Sequence, residues 1–122
     1  MVHKDNIDVI SFSDILEIAK IVWAIEKYSQ KIIVENNIEN KCRPLNSNIL
    51  KLKKILQEKG INIIDYTGQK YNEGMNVDVL DTVKSDILCP MVKETIEPTI
   101  TYNGEIMKRA RIIKEIGEEN NG

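Results

Sequence analysis

Reactive side chains are scarce in this chain. Its 122 residues include one histidine, His3, and two cysteines, Cys42 and Cys89. The two thiols lack the close spacing of metal ligands, and His3 is too isolated in sequence to serve as the base of a nucleophile. A structural disulfide is not expected either, because a reducing compartment keeps such thiols free. The six glycines are scattered, which argues against a phosphate-cradling loop. Aromatic residues are equally few: Phe12, Trp23, Tyr28, Tyr66, Tyr71 and Tyr102. The core must therefore be built from Ile, Leu and Val, and no interleaved aromatic platform for single-stranded nucleic acid is visible. Charge of one sign is also missing. Seventeen basic and nineteen acidic residues leave a net charge of -2, which gives no whole-chain attraction to nucleic acid or to a membrane surface. No apolar run is long enough to cross a bilayer, and "MVHKDNIDVISF" lacks the apolar region of a signal peptide. A cytoplasmic protein without cofactor or metal is the resulting expectation.

What the chain does have is periodicity. The stretch "DILEIAKIVWAIEKYSQKIIVE" reads as a long helix over about 13–39, capped by Ser11 or Ser13. Asp14 and Glu17 suit the positive end of its dipole. Ile15, Ile18, Val22, Ile25 and Ile32 form one stripe, and Phe12, Leu16, Ala19 and Trp23 form a second beside it. So wide an apolar face implies more than one neighbour, within the molecule or in a partner chain. The run "NNIENKCRPLNSN" breaks the pattern, since Pro44 restricts the residue before it. A second helix is expected over about 45–59, with Leu45, Ile49, Leu52 and Leu56 on one face and Lys51, Lys53 and Lys54 on its solvated side. Gly60 stands where a helix C-terminal glycine belongs. Together the two helices make an αα-hairpin.

Past Gly60 the period falls from about 3.6 to about 2, the strand value. "INIIDY" reads as a short strand and "TGQK" as a turn on Gly68, while "YNEGMNVDVLDTV" reads as irregular or weakly extended. In the next segment Val92, Ile96, Pro98, Ile100 and Tyr102 alternate with Lys93, Thr95, Glu97, Thr99 and Thr101, which predicts one strand with those two faces. Asn103-Gly104 then signals a type I′ hairpin, and Glu105 to Ile116 is the return strand. The tail at 118–122 is expected to be disordered. The hairpin register carries a conflict. A simple two-residue turn sets Pro98 opposite Arg109 and Ile96 opposite Arg111, whereas Ile106, Ala110 and Ile112, the better apolar set, fall on the other face. Either a bulge shifts the pairing, in the region of Pro98, or both faces are partly buried.

Two clusters invite a chemical reading. Asp78, Asp81 and Asp86 lack the spacing of a calcium loop, and the nearby Thr82 and Ser85 suggest a turn region. "KRAR", Lys108 to Arg111, places three cations on a strand where they point to both faces. Ion pairs with Glu94, Glu97 and Glu105 on the facing strand account for them. Docking to an acidic protein surface is the alternative, and nucleic-acid binding ranks behind both. A small enzyme or a nucleic-acid binder thus has only these two clusters in its favour. The composition favours a binding module.

The second half resembles the C-terminal half of GrpE-type nucleotide exchange factors. Lys59-Gly60, Ile61, Ile64-Asp65, Gly68 and Tyr71 fall in the order found there. The closing Asn103-Gly104 turn is followed, as in that family, by a basic–small–apolar strand carrying Lys108, Ala110, Ile112 and Ile113. The resemblance covers about residues 50–116. It implies an α+β fold in which helical hairpins form a dimeric four-helix bundle, followed by a small all-β C-terminal domain. Residues 1–59 would then dimerise, with Ile15, Ile18, Val22, Ile25, Leu52 and Leu56 in the bundle, and 60–117 would form the β domain. The implied function is non-enzymatic: binding the nucleotide-binding domain of a DnaK-type, or divergent DnaK-like, ATPase and promoting ADP release. Pro98, Tyr102, Asn103, Gly104, Glu105, Lys108 and Arg109 are the implied partner-binding residues. The chain departs from the family at Glu105, where a basic residue is usual, at Thr99-Ile100, where a Gly-aromatic pair is usual, and in "NVDVL", where a histidine–glutamate-like pair is expected. The family's long N-terminal stalk is also missing from this sequence. An adaptor that keeps the architecture without exchange activity is the alternative that Glu105 raises.

Overall fold

The computed structural model describes residues 11–118. The expectations placed on His3 and on residues 119–122 of the tail lie outside them. The chain divides into two units, with the boundary between Lys59 and Gly60.

The first unit is a helical hairpin. Helix α1 spans Phe12–Asn36. The Ser11 side chain caps it by accepting the Asp14 amide at 3.1 Å, which satisfies one of the free N–H groups of the first turn. The helix stops three residues earlier than its apolar pattern suggests. Asn37 takes the left-handed conformation, φ 53°, and donates its amide back to the last turn. Asparagine tolerates that region better than most residues, which makes Asn37 a chemical stop signal. A 3₁₀ turn, Glu39–Cys42, leads into helix α2, Arg43–Glu58, with Pro44 in its first turn, where no amide is needed. The Lys59 amide closes α2 onto the carbonyls of Ile55 and Leu56, and Gly60 follows at φ 86°.

The two stripes of α1 have different fates. Leu16, Ala19 and Trp23 of the second stripe are buried, together with Val22 of the first and Ile33, while Phe12 of the second is exposed. Ile18, Ile25 and Ile32 of the first stripe are exposed. On α2 only Ile49 and Leu56 are buried, and Leu52 is exposed. Of the six residues expected in a bundle core, Val22 and Leu56 are therefore buried within the single chain, Ile15 is half-buried, and Ile18, Ile25 and Leu52 remain open to solvent. Lys53 Nζ to Glu26 Oε1 at 3.0 Å and Gln30 Nε2 to Asn46 Oδ1 at 2.8 Å link the helices where side chains reach water.

The second unit is all β. Its strands are β1 Ile61–Ile64, β2 Val77–Ser85, β3 Met91–Glu97, β4 Thr99–Tyr102, β5 Glu105–Lys108 and β6 Ala110–Gly117. They form two three-stranded sheets, ordered β1-β4-β5 and β2-β6-β3. The single long hairpin expected from the alternation is thus cut twice, at Pro98 and at Arg109. Each arm serves both sheets. Proline has no amide to give a ladder, so a strand can change sheets there at little cost.

Of the stretch expected to be irregular or weakly extended, residues 71–76 lie outside any strand, but from Val77 onward it forms the nine-residue β2, and Asp78, Asp81, Thr82 and Ser85 lie in that strand rather than in a turn. Strand β2 pairs parallel with β6, Val77 opposite Ala110 and Ser85 opposite Gly117. Parallel partners need a long crossover, here β3 to β5, so no nearby turn announces the pairing.

Bulges resolve the register conflict. Tyr102 faces Glu105 and Thr101 faces Ile106, but Ile100 faces Lys108, leaving Met107 as the extra residue. Further shifts fall at Leu80, Lys93 and Ile96. They bring Ile112 opposite Thr95 on one side and Val79 on the other. Val77, Val92, Ala110 and Ile112 form the core cluster, with Tyr66, Tyr71 and Met75 packed against it.

The burial pattern of 92–102 also departs from simple alternation. Thr95, Thr99 and Thr101, expected to face outward, are buried, and Ile96 is exposed. Backbone hydrogen bonding explains two of the three. Thr95 Oγ1 accepts the Tyr66 amide at 3.1 Å, and Thr99 Oγ1 accepts the Ala110 amide at 3.0 Å. Each hydroxyl satisfies a backbone donor where regular pairing is interrupted, which is what a buried amide requires.

Candidate functional site

The closing hairpin is built from its turn outward. Asn103 at φ 50° and Gly104 at φ 85° give two successive left-handed residues, the requirement of a type I′ turn. The turn is anchored as well as formed. The Asn103 amide donates to the Gly60 carbonyl at 2.8 Å, and the Asn103 side chain occupies the space a Cβ on Gly60 would need. Gly60 therefore serves twice: its φ suits the helix exit, and its missing side chain makes room for the turn.

The structure sorts the expected partner-binding residues into two groups. Pro98 is fully buried at the crossing between sheets, so it presents no surface. Asn103 and Gly104 make the turn. Arg109 is engaged on all sides of its guanidinium: Nε donates to Asp78 Oδ1 at 3.1 Å, Nη1 to Asn76 Oδ1 at 2.8 Å and Nη2 to the Val77 carbonyl at 3.0 Å. It sits between β5 and β6 and ties that break to the start of β2, a clamp the planar fork suits and a lysine could not copy. The sequence carries no local sign of this role, because Asn76 and Asp78 stand more than thirty residues away.

Tyr102, Glu105 and Lys108 form the second group. Tyr102 lies opposite Glu105, and Lys108 lies opposite Ile100, two residues before Tyr102. Residues directly opposite or two apart share a sheet face, so all three project together. All three are exposed, Tyr102 to 37%. Neither Glu105 nor Lys108 is held by an ion pair or hydrogen bond to another described side chain. Ile106 is exposed on the opposite face beside Thr101, a placement the sequence does not show because it depends on the Met107 bulge.

"KRAR" is divided by the same geometry. Lys108 is exposed, Arg109 is clamped, and Arg111 pairs with Glu97 across β3–β6 at 3.7 Å. Cross-strand pairing thus accounts for Arg111, while Arg109 takes a partner on β2 instead.

Among the described residues no three His, Cys, Asp or Glu side chains are grouped to hold a metal ion. Cys42 and Cys89 are free thiols. One titratable group is displaced. Burial holds the Tyr71 phenol above its ordinary value, and the charge and weak hydrogen bond of Glu73 push the same way. Lys114 stands over the Tyr71 ring at 4.3 Å and within 3.8 Å of the exposed Glu73, while Tyr71 itself packs against the core cluster.

What the hairpin offers is a small exposed face with an aromatic ring, an anion and a cation on a backbone fixed by the turn and the Arg109 clamp. Such a face suits contact with another macromolecule. No protein-family model matches this chain, and no curated protein is significantly similar to it.

Proposed function

We propose that the chain is a GrpE-like cochaperone that binds the nucleotide-binding domain of a DnaK-type or divergent DnaK-like ATPase and promotes ADP release. In this reading it acts as a homodimer, two helices from each chain making a four-helix bundle. The single observation carrying the proposal is the presentation of Tyr102, Glu105 and Lys108 on one exposed face, after a hairpin turn whose motif and position resemble that family. The order of elements, a helical hairpin followed by an all-β unit, is in keeping with it. The open apolar residues of α1 suit the dimer.

The mechanism needs no reactive group in the cochaperone. A partner that binds only the open form of a cleft shifts the equilibrium toward opening. Nucleotide affinity then falls by the same factor through which nucleotide weakens the partner. Tyr102 would supply buried contact area, and Glu105 and Lys108 would set orientation through charge.

A second reading is favoured by Glu105 itself. An anion at a position where the family usually has a cation repels a partner selected for that cation, so an adaptor without exchange activity remains the alternative. Release of labelled ADP from the DnaK-type ATPase of the same cell separates the two. Acceleration by the purified chain, with no ATP hydrolysis by the chain itself, is the expected result. Failure to bind any such ATPase, together with capture of a different protein, favours the adaptor.

A further inference from the structure

The tip of the closing hairpin carries a pair of residues that can react with each other. Asn103 is the one asparagine among the described residues that a glycine follows. In such a pair the following amide nitrogen can attack the side-chain carbonyl carbon, which makes asparagine a thermolabile residue. Three features leave that route open here. Asn103 and Gly104 are both exposed, so water and hydroxide reach them. The Gly104 amide, which is the nucleophile, and the Asn103 carboxamide, which holds the leaving group, make no hydrogen bond to another described residue. Nothing lies within 4 Å of the position that a Cβ on Gly104 would take, so the approach is unhindered.

The turn is the gate. A nearly planar five-membered ring holds the Gly104 nitrogen eclipsed with Cβ of Asn103, a ψ of about −120°, whereas a type I′ turn sets that angle near about +30°. Asn103 at φ 50° belongs to such a turn, and its amide is tied to the Gly60 carbonyl at 2.8 Å. Its side chain lies against Gly60, in the space that a Cβ there would enter. Ring closure therefore requires the turn to open and the side chain to leave Gly60.

We infer that Asn103 is a site of spontaneous deamidation, gated by local opening of the hairpin turn. The Gly104 nitrogen forms a bond to Asn103 Cγ, the Cγ–Nδ2 bond breaks, and ammonia leaves with the proton that the Gly104 amide gives up through water. Water then opens the succinimide at one of its two carbonyls, yielding aspartate or isoaspartate. Either product sets a carboxylate between Tyr102 and Glu105. In isoaspartate the main chain runs through the side-chain carbon and is one atom longer, which a two-residue turn pairing Tyr102 with Glu105 does not accommodate. Resting on the docking reading above, the face formed by Tyr102, Glu105 and Lys108 then loses its partner as the chain ages.

Peptide mapping by mass spectrometry tests this. Trypsin releases residues 94–108, in which Asn103 is the only asparagine, apart from the second Asn-Gly pair at 121–122. During incubation in warm, mildly alkaline buffer, the peptide from the folded chain is expected to convert from amide to acid, with isoaspartate in excess. In urea the conversion is expected to be roughly tenfold faster, the turn being open there. Gly60→Ala, which displaces the Asn103 side chain, is expected to bring the folded rate toward the urea rate while circular dichroism shows the fold retained. A folded chain that stays unconverted while the chain in urea converts fully overturns the site. Equal rates in buffer and urea overturn the gate. Both readouts are chemical, so they stand apart from docking: conversion that leaves stimulated ADP release intact counts against the docking face and not against the site.

Discussion

Gly60 is the residue on which most local geometry converges. Its φ of 86° is costly for any residue with a Cβ, and the Asn103 side chain fills the space that a Cβ would enter. Gly60→Ala should therefore destabilise the β unit by about 1–3 kcal/mol, the range for residues forced into sparsely populated backbone regions. A lowered urea midpoint with unchanged slope would show it, and an unaltered midpoint would refute the argument. Tyr71 gives a second residue-scale prediction, in pH. Its folded-state pKa is raised, so above the ordinary tyrosine value of 10.0 the unfolded chain loses the proton more readily than the folded one. Stability therefore falls as pH rises through that value toward the folded-state pKa, and is unaffected by this group below it. Tyr71→Phe should flatten the alkaline limb of a stability–pH curve without changing the neutral plateau's slope. A limb equally steep in the variant would assign the loss to other groups.

At the scale of elements, the break between β5 and β6 is held by side chains doing what a ladder would otherwise do. The Ala110 amide donates to Thr99 Oγ1, and both residues are buried. Thr99→Val keeps the shape and removes the acceptor. It should cost about 1–3 kcal/mol, the penalty of leaving a buried donor unsatisfied, despite the favourable β-propensity of valine. Hydrogen exchange offers a local check, since the Ala110 amide should lose protection first. Unchanged protection there would mean that another acceptor replaces the hydroxyl. The Arg109 clamp supports the same break from outside, through three bonds to the start of β2. Its exposure limits what it contributes to stability, so its role is to fix geometry next to the exposed hairpin face.

On the scale of the whole molecule, each unit carries its own kind of open surface: exposed apolar residues on α1, and a small polar–aromatic face on the β4–β5 hairpin. If the exchange reading holds, Tyr102→Ala combined with Lys108→Ala should slow stimulated ADP release about tenfold or more, as loss of an aromatic anchor does at interfaces. The circular dichroism spectrum of the double variant should match that of wild type, because both residues lie on an exposed face of the hairpin. Full stimulation by the double variant would remove the hairpin face from the docking surface.

The sequence by itself determined where structure changes type. Asn37, Pro44, Gly60, Gly68 and Asn103-Gly104 act through backbone preferences that need no distant partner, and each marks a helix end, a helix start or a turn in the structure. It also determined that both helices would be amphipathic and that the chain after Gly60 would be extended. The tertiary structure decided the rest. Which stripe of α1 is buried depends on α2. The parallel pairing of β2 with β6 depends on a crossover of three strands, and the division of the long hairpin at Pro98 and Arg109 depends on two sheets competing for the same arms. Burial of Thr95 and Thr99, and the capture of Arg109 by Asn76 and Asp78, follow from those placements. The physical reason is the range of the forces. Backbone strain acts within one or two residues and is written locally. Burial and hydrogen-bond satisfaction belong to groups that only folding brings together.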